Sequence, residues 1–360
     1  MPADTAVVHE WIDARSGSEI LFEQLAAEFG DADLYALTSA GDDILELGER
    51  TVRTTMLDRT RALPRAVTLP LMPTAWRRLN RPRYDLVVTS THAFGREFVR
   101  RSDGAHCNYV HAPMRYVWSP ALDRRGRALG PIGGAARSLA RRVDRRSVAS
   151  VTSFAANSNA VAARIARFYD RPARVIFPPV DVDFFGEAEP ETGDYLLAAS
   201  RWVRYKRLDL AIDVAAALDL PLVIAGWGPE EQALRAHADR RHPGGVTFRV
   251  GPSRAELRAL MAEAAAFVFP ADEDFGIITV EAQAAGTPVV GLAAGGSLDT
   301  VADGWSGVLA PDQHPDSLAE AARRCLDKAI PAEQCRDHAA NFSTARFRRE
   351  IRAWTEEVRR

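Results

Sequence analysis

Short apolar segments alternating with amphipathic helical stretches leave this chain few folds to choose from. In the first half the expected strands are Thr5–His9, Asp33–Thr38, Asp85–Ser90, His106–His111 and Val151–Asn157. In the second they are Tyr195–Ser200, Pro221–Gly226, Val246–Val250, Ala266–Pro270, Pro288–Leu292 and Gly307–Ala310. Such alternation points to parallel sheets covered by helices, an α/β class. At 360 residues the chain exceeds one ordinary core, so two domains are expected. The stretch VIFPPVDVDFFGEAEPETGDY (175–195), with paired prolines, acids and glycine, marks the boundary between two doubly wound halves. The expected division is 1–177, 178–345 and a closing helix in 346–360. Ile351, Trp354 and Val358 give that helix one apolar face, which suits an ordinary closing helix or one that returns to the first domain.

Hydrophobic residues make up 47% and charged residues 26%, the composition of a soluble globular protein. Cys107, Cys325 and Cys335 are odd in number and lack metal-type spacing, which fits a reducing compartment without a disulfide framework. No signal peptide is read at the start, and apolar runs fall far short of the ~20 residues of a spanning helix, so a cytoplasmic location is expected. Charge is unevenly spread. Residues 1–177 hold 26 Arg, no Lys and 19 Asp or Glu, a net of +7, which leaves −9 of the total −2 for the rest. Within 50–146, 21 Arg face 6 acids. That excess calls for an anionic partner. The segments 61–84 and 123–146 intersperse Arg with Leu, Trp and Met, which suits peripheral contact with an anionic membrane surface. No nucleic-acid-binding module frames these charges, so nucleic acid is not expected as a partner.

Open α/β sheets bind ligands at the carboxyl ends of their strands, so the chemistry belongs in the loops that follow them. After the first strand of the second half comes AASRWVRYKRLDLAI, with Arg201 and Lys206 at the strand–helix junction. Lys206 and Lys328 are the only lysines among 46 basic residues. A lysine kept at such a junction fits a compact charge held against phosphate. A cation at a helix start is unfavourable unless an anion sits there. Gly226-Trp227-Gly228 follows the next strand and makes either a tight turn or a close approach to ligand. It is no dinucleotide fingerprint, because the third glycine is missing. In FPADEDFGIITVEAQAAGTPVV (269–290) the acids Glu273 and Glu281 lie eight apart, one in a loop and one within the helix expected over Gly276–Ala285. The amides of Gly276, Ile277 and Ile278 are orphan donors for an anion or hydroxyl, although acids near a helix start also serve as plain caps.

Taken in this order, Arg201…Lys206, Gly226-x-Gly228 and Glu273-x₇-Glu281 resemble the retaining glycosyltransferases of family 4, with the GT-B fold of two Rossmann-like domains facing across a cleft. AGTPVVGLAAGGSLDTVADGWSGVL (285–309) is similar too. In the first half, VVHEWIDARSGSEILFEQLAAEFGDADLYALT (7–38), YDLVVTSTHAFG (84–95) and NYVHAPMRYVW (108–118) resemble the branch containing O-antigen mannosyltransferases. Two positions depart from the family pattern. Ser16-Gly17-Ser18-Glu19 stands where Gly-Gly-Ala-Glu is frequent, and Asp299 stands where Glu is usual.

The resemblance implies transfer of a hexose, mannose from GDP-mannose, to a lipid-linked saccharide or glycolipid in cell-surface polysaccharide synthesis. Anomeric configuration would be retained by front-face displacement, with no metal or other cofactor. By similarity, Arg201 and Lys206 would hold the diphosphate, Glu281 the ribose hydroxyls, and Glu273 with the Phe275, Gly276 and Ile277 amides the sugar. Val250 would flank the base, with Gly226 and Gly228 nearby and Gly17 reaching the diphosphate from the first domain. His111 matches the family's active-site histidine, with His9 and Arg115 on the acceptor side and His92 structural. Closure about Pro178-Pro179 would assemble the site, and the enzyme would sit in the cytoplasm or at the inner membrane face. The alternatives are a UDP-sugar-dependent transferase of the same family, a non-catalytic GT-B scaffold subunit, and a sugar-nucleotide epimerase on a similar fold.

Overall fold

The computed structural model describes residues 4–63, 65–118, 130–189 and 193–360, excluding the side chains of 42, 65–66, 115–116, 130–133 and 135–136. Internal contacts divide the chain into two units, Met1–Pro179 with Ala345–Arg360, and Val180–Thr344.

The first unit is built on a seven-stranded parallel sheet: β1 (Thr5–Ile12), β2 (Asp33–Ser39), β3 (Val52–Thr54), β4 (Leu86–Thr91), β5 (Ala105–Val110), β6 (Ser153–Ala156) and β7 (Ala173–Val175), in the order β3-β2-β1-β4-β5-β6-β7. The second holds six: β8 (Leu196–Arg201), β9 (Leu222–Trp227), β10 (Val246–Val250), β11 (Ala266–Phe269), β12 (Val289–Leu292) and β13 (Gly307–Ala310), in the order β10-β9-β8-β11-β12-β13. Both are doubly wound α/β units, as the apolar alternation predicts. All eleven strands read from the sequence are present. The two additional ones, β3 and β7, are three-residue edge strands without a fully buried position, so no apolar run announces them.

The strand orders fix where ligands can go. In the first unit the winding reverses between β1 and β4, which pair in register from Thr5↔Leu86 to Val8↔Thr89. In the second it reverses between β8 and β11, paired at Ala266↔Leu196 and Phe267↔Leu197. Loops diverge at such points and leave an opening beyond the strands' carboxyl ends.

The strands beside these openings are covered on both faces. Val7, Val8, Val87 and Val88 are fully buried in the first unit, as are Leu196, Ala198, Phe267 and Val268, to within 1%, in the second. The helix Thr344–Arg359 packs Phe347, Ile351 and Trp354 into the first unit's core, and Trp354 Nε1–H donates to Ser153 Oγ at 2.8 Å. Three arginines of the basic stretch are structural. Arg50 donates to the carbonyls of Ala26, Phe29 and Ala32 and so caps the helix Gly17–Glu28. Arg81 pairs with Asp103 at 2.5 Å, and Arg96 pairs with Asp144, both buried. Among the described residues, no helix is long and apolar enough to cross a membrane.

Candidate active site

In the second unit, side chains from both sides of the β8/β11 reversal meet. Lys206 ends the 3₁₀ turn Arg204–Lys206, and Arg207, in the left-handed region at φ 52°, turns the chain into the helix Leu208–Leu218. Lys206 Nζ lies 2.5 Å from Glu273 Oε1, their side chains 11% and 15% exposed, and 5.6 Å from the Phe269 ring centre. The structure thus brings these two sequence-predicted residues together. Arg201, the last residue of β8, is exposed and not joined to either glutamate by an ion pair.

The loop carrying Glu273 is held by backbone contact. Gly296 N–H donates to the Glu273 carbonyl at 2.8 Å. A Cβ on Gly296 would fall 2.2 Å from Phe275 Cα, and one on Gly295 2.2 Å from the Glu273 carbonyl oxygen. Phe275 itself is buried and meets the Phe342 ring edge-on at 5.7 Å. Gly276, at φ 89°, precedes the helix Ile277–Ala284 and, having no side chain, does not itself cap the first amides of that helix.

Glu281 has a different setting. It is half-buried and its carboxylate makes no hydrogen bond to a described residue, and its charged neighbours are Arg254 and Asp181, themselves paired at 2.9 Å. Desolvation pushes its carboxyl up to about 7, and Arg254 offsets only part of this. At neutral pH the carboxyl is thus part-protonated.

Gly226 and Gly228 answer the open question about the β9 turn. A Cβ on Gly226 would sit 1.9 Å from the Ser200 carbonyl oxygen, and one on Gly228 2.4 Å from that of Trp202. Packing of this turn on the strand-end chain of β8 therefore explains both glycines without a ligand. Val250, 56% exposed, lines a cavity of about 560 Å³ with Arg249, Gly251, Pro252 and Glu256.

In the first unit, three imidazoles gather at the carboxyl ends of β1, β4 and β5. His9 Nδ1 is 3.0 Å from Ser90 Oγ, and Ser90 Oγ is 2.7 Å from His111 Nε2. His92 stacks on His111 with ring centres 4.3 Å apart and planes 8° from parallel. Burial, then His92 and His9, hold the His111 ring well below the usual imidazole range, so it is neutral at pH 7. Glu10, buried beside them, accepts the backbone N–H groups of His92, Ala93 and Gly95 at 2.7–2.8 Å and so fixes the loop that bears His92. Gly17 opens the helix Gly17–Glu28, where the buried Glu19 carboxylate accepts from Ser16 and Ser18 hydroxyls. Arg115 begins the helix Arg115–Trp118, but its side chain lies outside the described ones. Sequence reasoning missed Ser90 and Glu10 and gave His92 only a structural part. The available signal was that all three lie at strand ends flanking the β1/β4 reversal.

Two doubly wound α/β units in one chain are the architecture of the GT-B class. The chain carries the two domains of that class: residues 15–184 match the family described as Glycosyltransferase Family 4, and residues 180–342 match Glycosyl transferases group 1. D-inositol 3-phosphate glycosyltransferase of Mycolicibacterium paratuberculosis is 31% identical over 221 residues, covering 52% of this chain and 50% of that protein. Glycogen synthase of Xanthomonas campestris pv. campestris is 37% identical over 151 residues, covering 41% and 31%. The chain thus spans half or less of the length of these relatives. Among solved structures, sucrose-phosphate synthase from Thermosynechococcus elongatus superposes with a TM-score of 0.76 at 18% identity, over 98% of this chain and 99% of that one. Anabaena HepE, solved in complex with UDP-glucose, gives 0.72 at 18% identity over 98% and 99%. At such identity the likeness shows the fold.

Proposed function

We propose that this protein is a retaining glycosyltransferase that moves a hexose from a nucleoside-diphosphate sugar to a lipid-linked saccharide or glycolipid. The observation that carries the reading is the Lys206–Glu273 pair at the β8/β11 reversal, beside the glycine-started N-terminus of Ile277–Ala284. Lys206 and Arg201 would take the diphosphate and stabilise the charge that develops on the leaving group, which is electrostatic catalysis without proton transfer. Glu273 and the amides at Gly276 and Ile277 would orient the sugar hydroxyls. Glu281 would accept from the ribose, and Val250 would flank the base. His111 of the first unit would hydrogen-bond the reacting sugar, with His9 and Arg115 on the acceptor side and Gly17 approaching the diphosphate. No step calls on a metal.

The first-half motifs favour mannose from GDP-mannose. A second reading, a UDP-hexose donor, is favoured by the UDP-glucose complex of HepE. Thermal-shift titration with GDP and UDP, followed by donor hydrolysis against GDP- and UDP-sugars, tests both. Stabilisation by neither nucleotide, with no donor hydrolysed, sinks the transferase reading and leaves the scaffold subunit.

The acceptor reading extends to an anionic membrane surface. Met56, Leu63, Val67 and Leu71 are each 49–64% exposed within residues 56–71, where Arg59 is exposed too. Exposed apolar side chains beside arginine suit the headgroup–acyl boundary. In the second basic segment Leu139 and Arg142 are exposed, whereas Arg141 and Arg145 lie over the Trp118 ring. Residues 119–129, part of the same basic stretch, lie outside the described ones.

A further inference from the structure

Ser90 stands between two imidazoles, and elementary hydrogen-bond accounting limits what those rings can do. Its hydroxyl is fully buried, 3.0 Å from His9 Nδ1 and 2.7 Å from His111 Nε2, and these are its side-chain hydrogen-bond partners among the described residues. A hydroxyl carries one proton. If Ser90 donates to His111 Nε2, then His9 must bring its own Nδ1–H to the Ser90 oxygen, and His111 carries its proton on Nδ1. If Ser90 donates to His9 Nδ1, His111 must donate from Nε2, and its Nδ1 is a bare lone pair. Two N–H groups facing Ser90 would strand a buried hydroxyl proton, and two lone pairs would leave one nitrogen unpaired. Either defect leaves a buried polar group unsatisfied, which is costlier than losing the bond alone. This accounting is that of neutral rings, and His9 is fully buried.

We infer that Ser90 locks His9 and His111 into the same tautomer, which commits His111 Nδ1 to one role, donor or acceptor, toward a sugar hydroxyl. Ser90 and His9 are then positioning residues that act through His111. Nδ1 is the edge left for this, since it makes no hydrogen bond to a described residue, while the face of the ring is covered by His92 at 4.3 Å. The inference rests on the proposed transferase reading for the identity of the sugar hydroxyl, but not for the tautomer coupling.

The full chain labelled with ¹⁵N-histidine, its ring signals assigned through His9→Gln and His111→Gln, provides the test by long-range ¹H–¹⁵N correlation at pH 8. The expected wild-type spectrum shows both rings in one shared tautomer. Opposite tautomers, or fast averaging at either ring, overturn the inference. Ser90→Ala should release His111 into averaging and slow sugar transfer about tenfold, the worth of one hydrogen bond, without changing the KM for donor. Ser90→Thr, which keeps the hydroxyl, should restore both the tautomer and the rate. Failure of Ser90→Thr to restore the tautomer, or an unchanged His111 tautomer in Ser90→Ala, also overturns it. A wild-type protein with coupled tautomers but no transfer activity would sink the transferase reading alone.

Discussion

Lys206 Nζ and Glu273 Oε1, 2.5 Å apart, join the segments that follow the two strands where the second sheet reverses its winding. Each charge is mostly shielded from solvent, so neither can be removed without leaving its partner poorly compensated. A bound diphosphate would give Lys206 a second anion, and Lys206 would stabilise the charge on a leaving group that Glu273 alone repels. Lys206→Ala is therefore expected to lower turnover by about 10²–10³-fold, the range seen when one preorganised charge donor is lost. Lys328, exposed at the end of the helix Pro315–Lys328, is the control, and its alanine variant should stay within about twofold. Equal effects of the two substitutions on kcat would refute the phosphate assignment.

Glu281 provides a pH signature. Its carboxyl, raised to about 7, is part-protonated at neutral pH, and donors from ribose hydroxyls favour the ionised form. Nucleotide binding should then lower its pKa and release a fraction of a proton between pH 6 and 7. Calorimetry of GDP or UDP binding in two buffers of different ionisation heat measures that release. Glu281→Gln should remove its share of that release, leaving only the part that comes from the nucleotide's terminal phosphate, and weaken nucleotide binding about tenfold or more. Unaltered proton release in the variant would remove the ribose role.

Glu10 supplies a stability signature in the other unit. Burial outweighs three amide hydrogen bonds and raises its carboxyl to about 7 from the ordinary 4.5. The folded state binds this proton more tightly than the unfolded chain does. The resulting stability is complete below pH 4.5 and is lost as pH rises to 7, a span worth about 3 kcal/mol. Glu10→Gln should flatten that slope, so its cost in urea unfolding is larger at pH 5 than at pH 8. An equal cost at both pH values would show that Glu10 titrates normally.

The strands and their order of burial were legible because continuous apolar runs have no reading other than a covered parallel sheet. β3 and β7 were not, since three half-exposed edge residues carry no pattern. In the site, Lys206 and Glu273 could be named from residue type and position after a strand, but their direct contact could not, because it depends on β8 and β11 being neighbours. The same limit hid Ser90 and Glu10, which meet His9 and the His92 loop across separations of 81 and 82 residues. Gly226 and Gly228 were ambiguous for a different reason. Glycine spacing shows that backbones come close, without showing whether the neighbour is a ligand or, as here, the chain itself.

Gly296 tests whether the Glu273 loop is held by backbone packing. Alanine there would press its Cβ to within 2.2 Å of Phe275 Cα, and backbone cannot rotate aside as a side chain can. Gly296→Ala should cost about 1–3 kcal/mol and depress turnover by displacing Glu273. Gly30→Ala, where an added Cβ meets nothing within 4 Å, is the neutral control. Thermal unfolding and kcat measured on both variants decide the point, and a Gly296→Ala protein with native stability and rate would rule it out.

The membrane reading separates apolar from charged contributions. Arg141 donates to the Val117 carbonyl and Arg145 to that of Phe168, so removing them would disturb the fold as well as the surface. The cleaner variants are Met56→Ser, Leu63→Ser, Val67→Ser and Leu71→Ser combined, and separately Arg59→Gln with Arg142→Gln. Each apolar side chain is already at least half exposed or close to it, so the serine set should leave thermal stability nearly unchanged. It should nevertheless abolish pelleting with anionic liposomes, since insertion scales with buried apolar area. The glutamine pair should weaken binding by about 1 kcal/mol per arginine, an effect that fades in high salt. Undiminished pelleting by the serine set would mean that this segment does not meet lipid, and the anionic partner would have to be sought on the arginines alone.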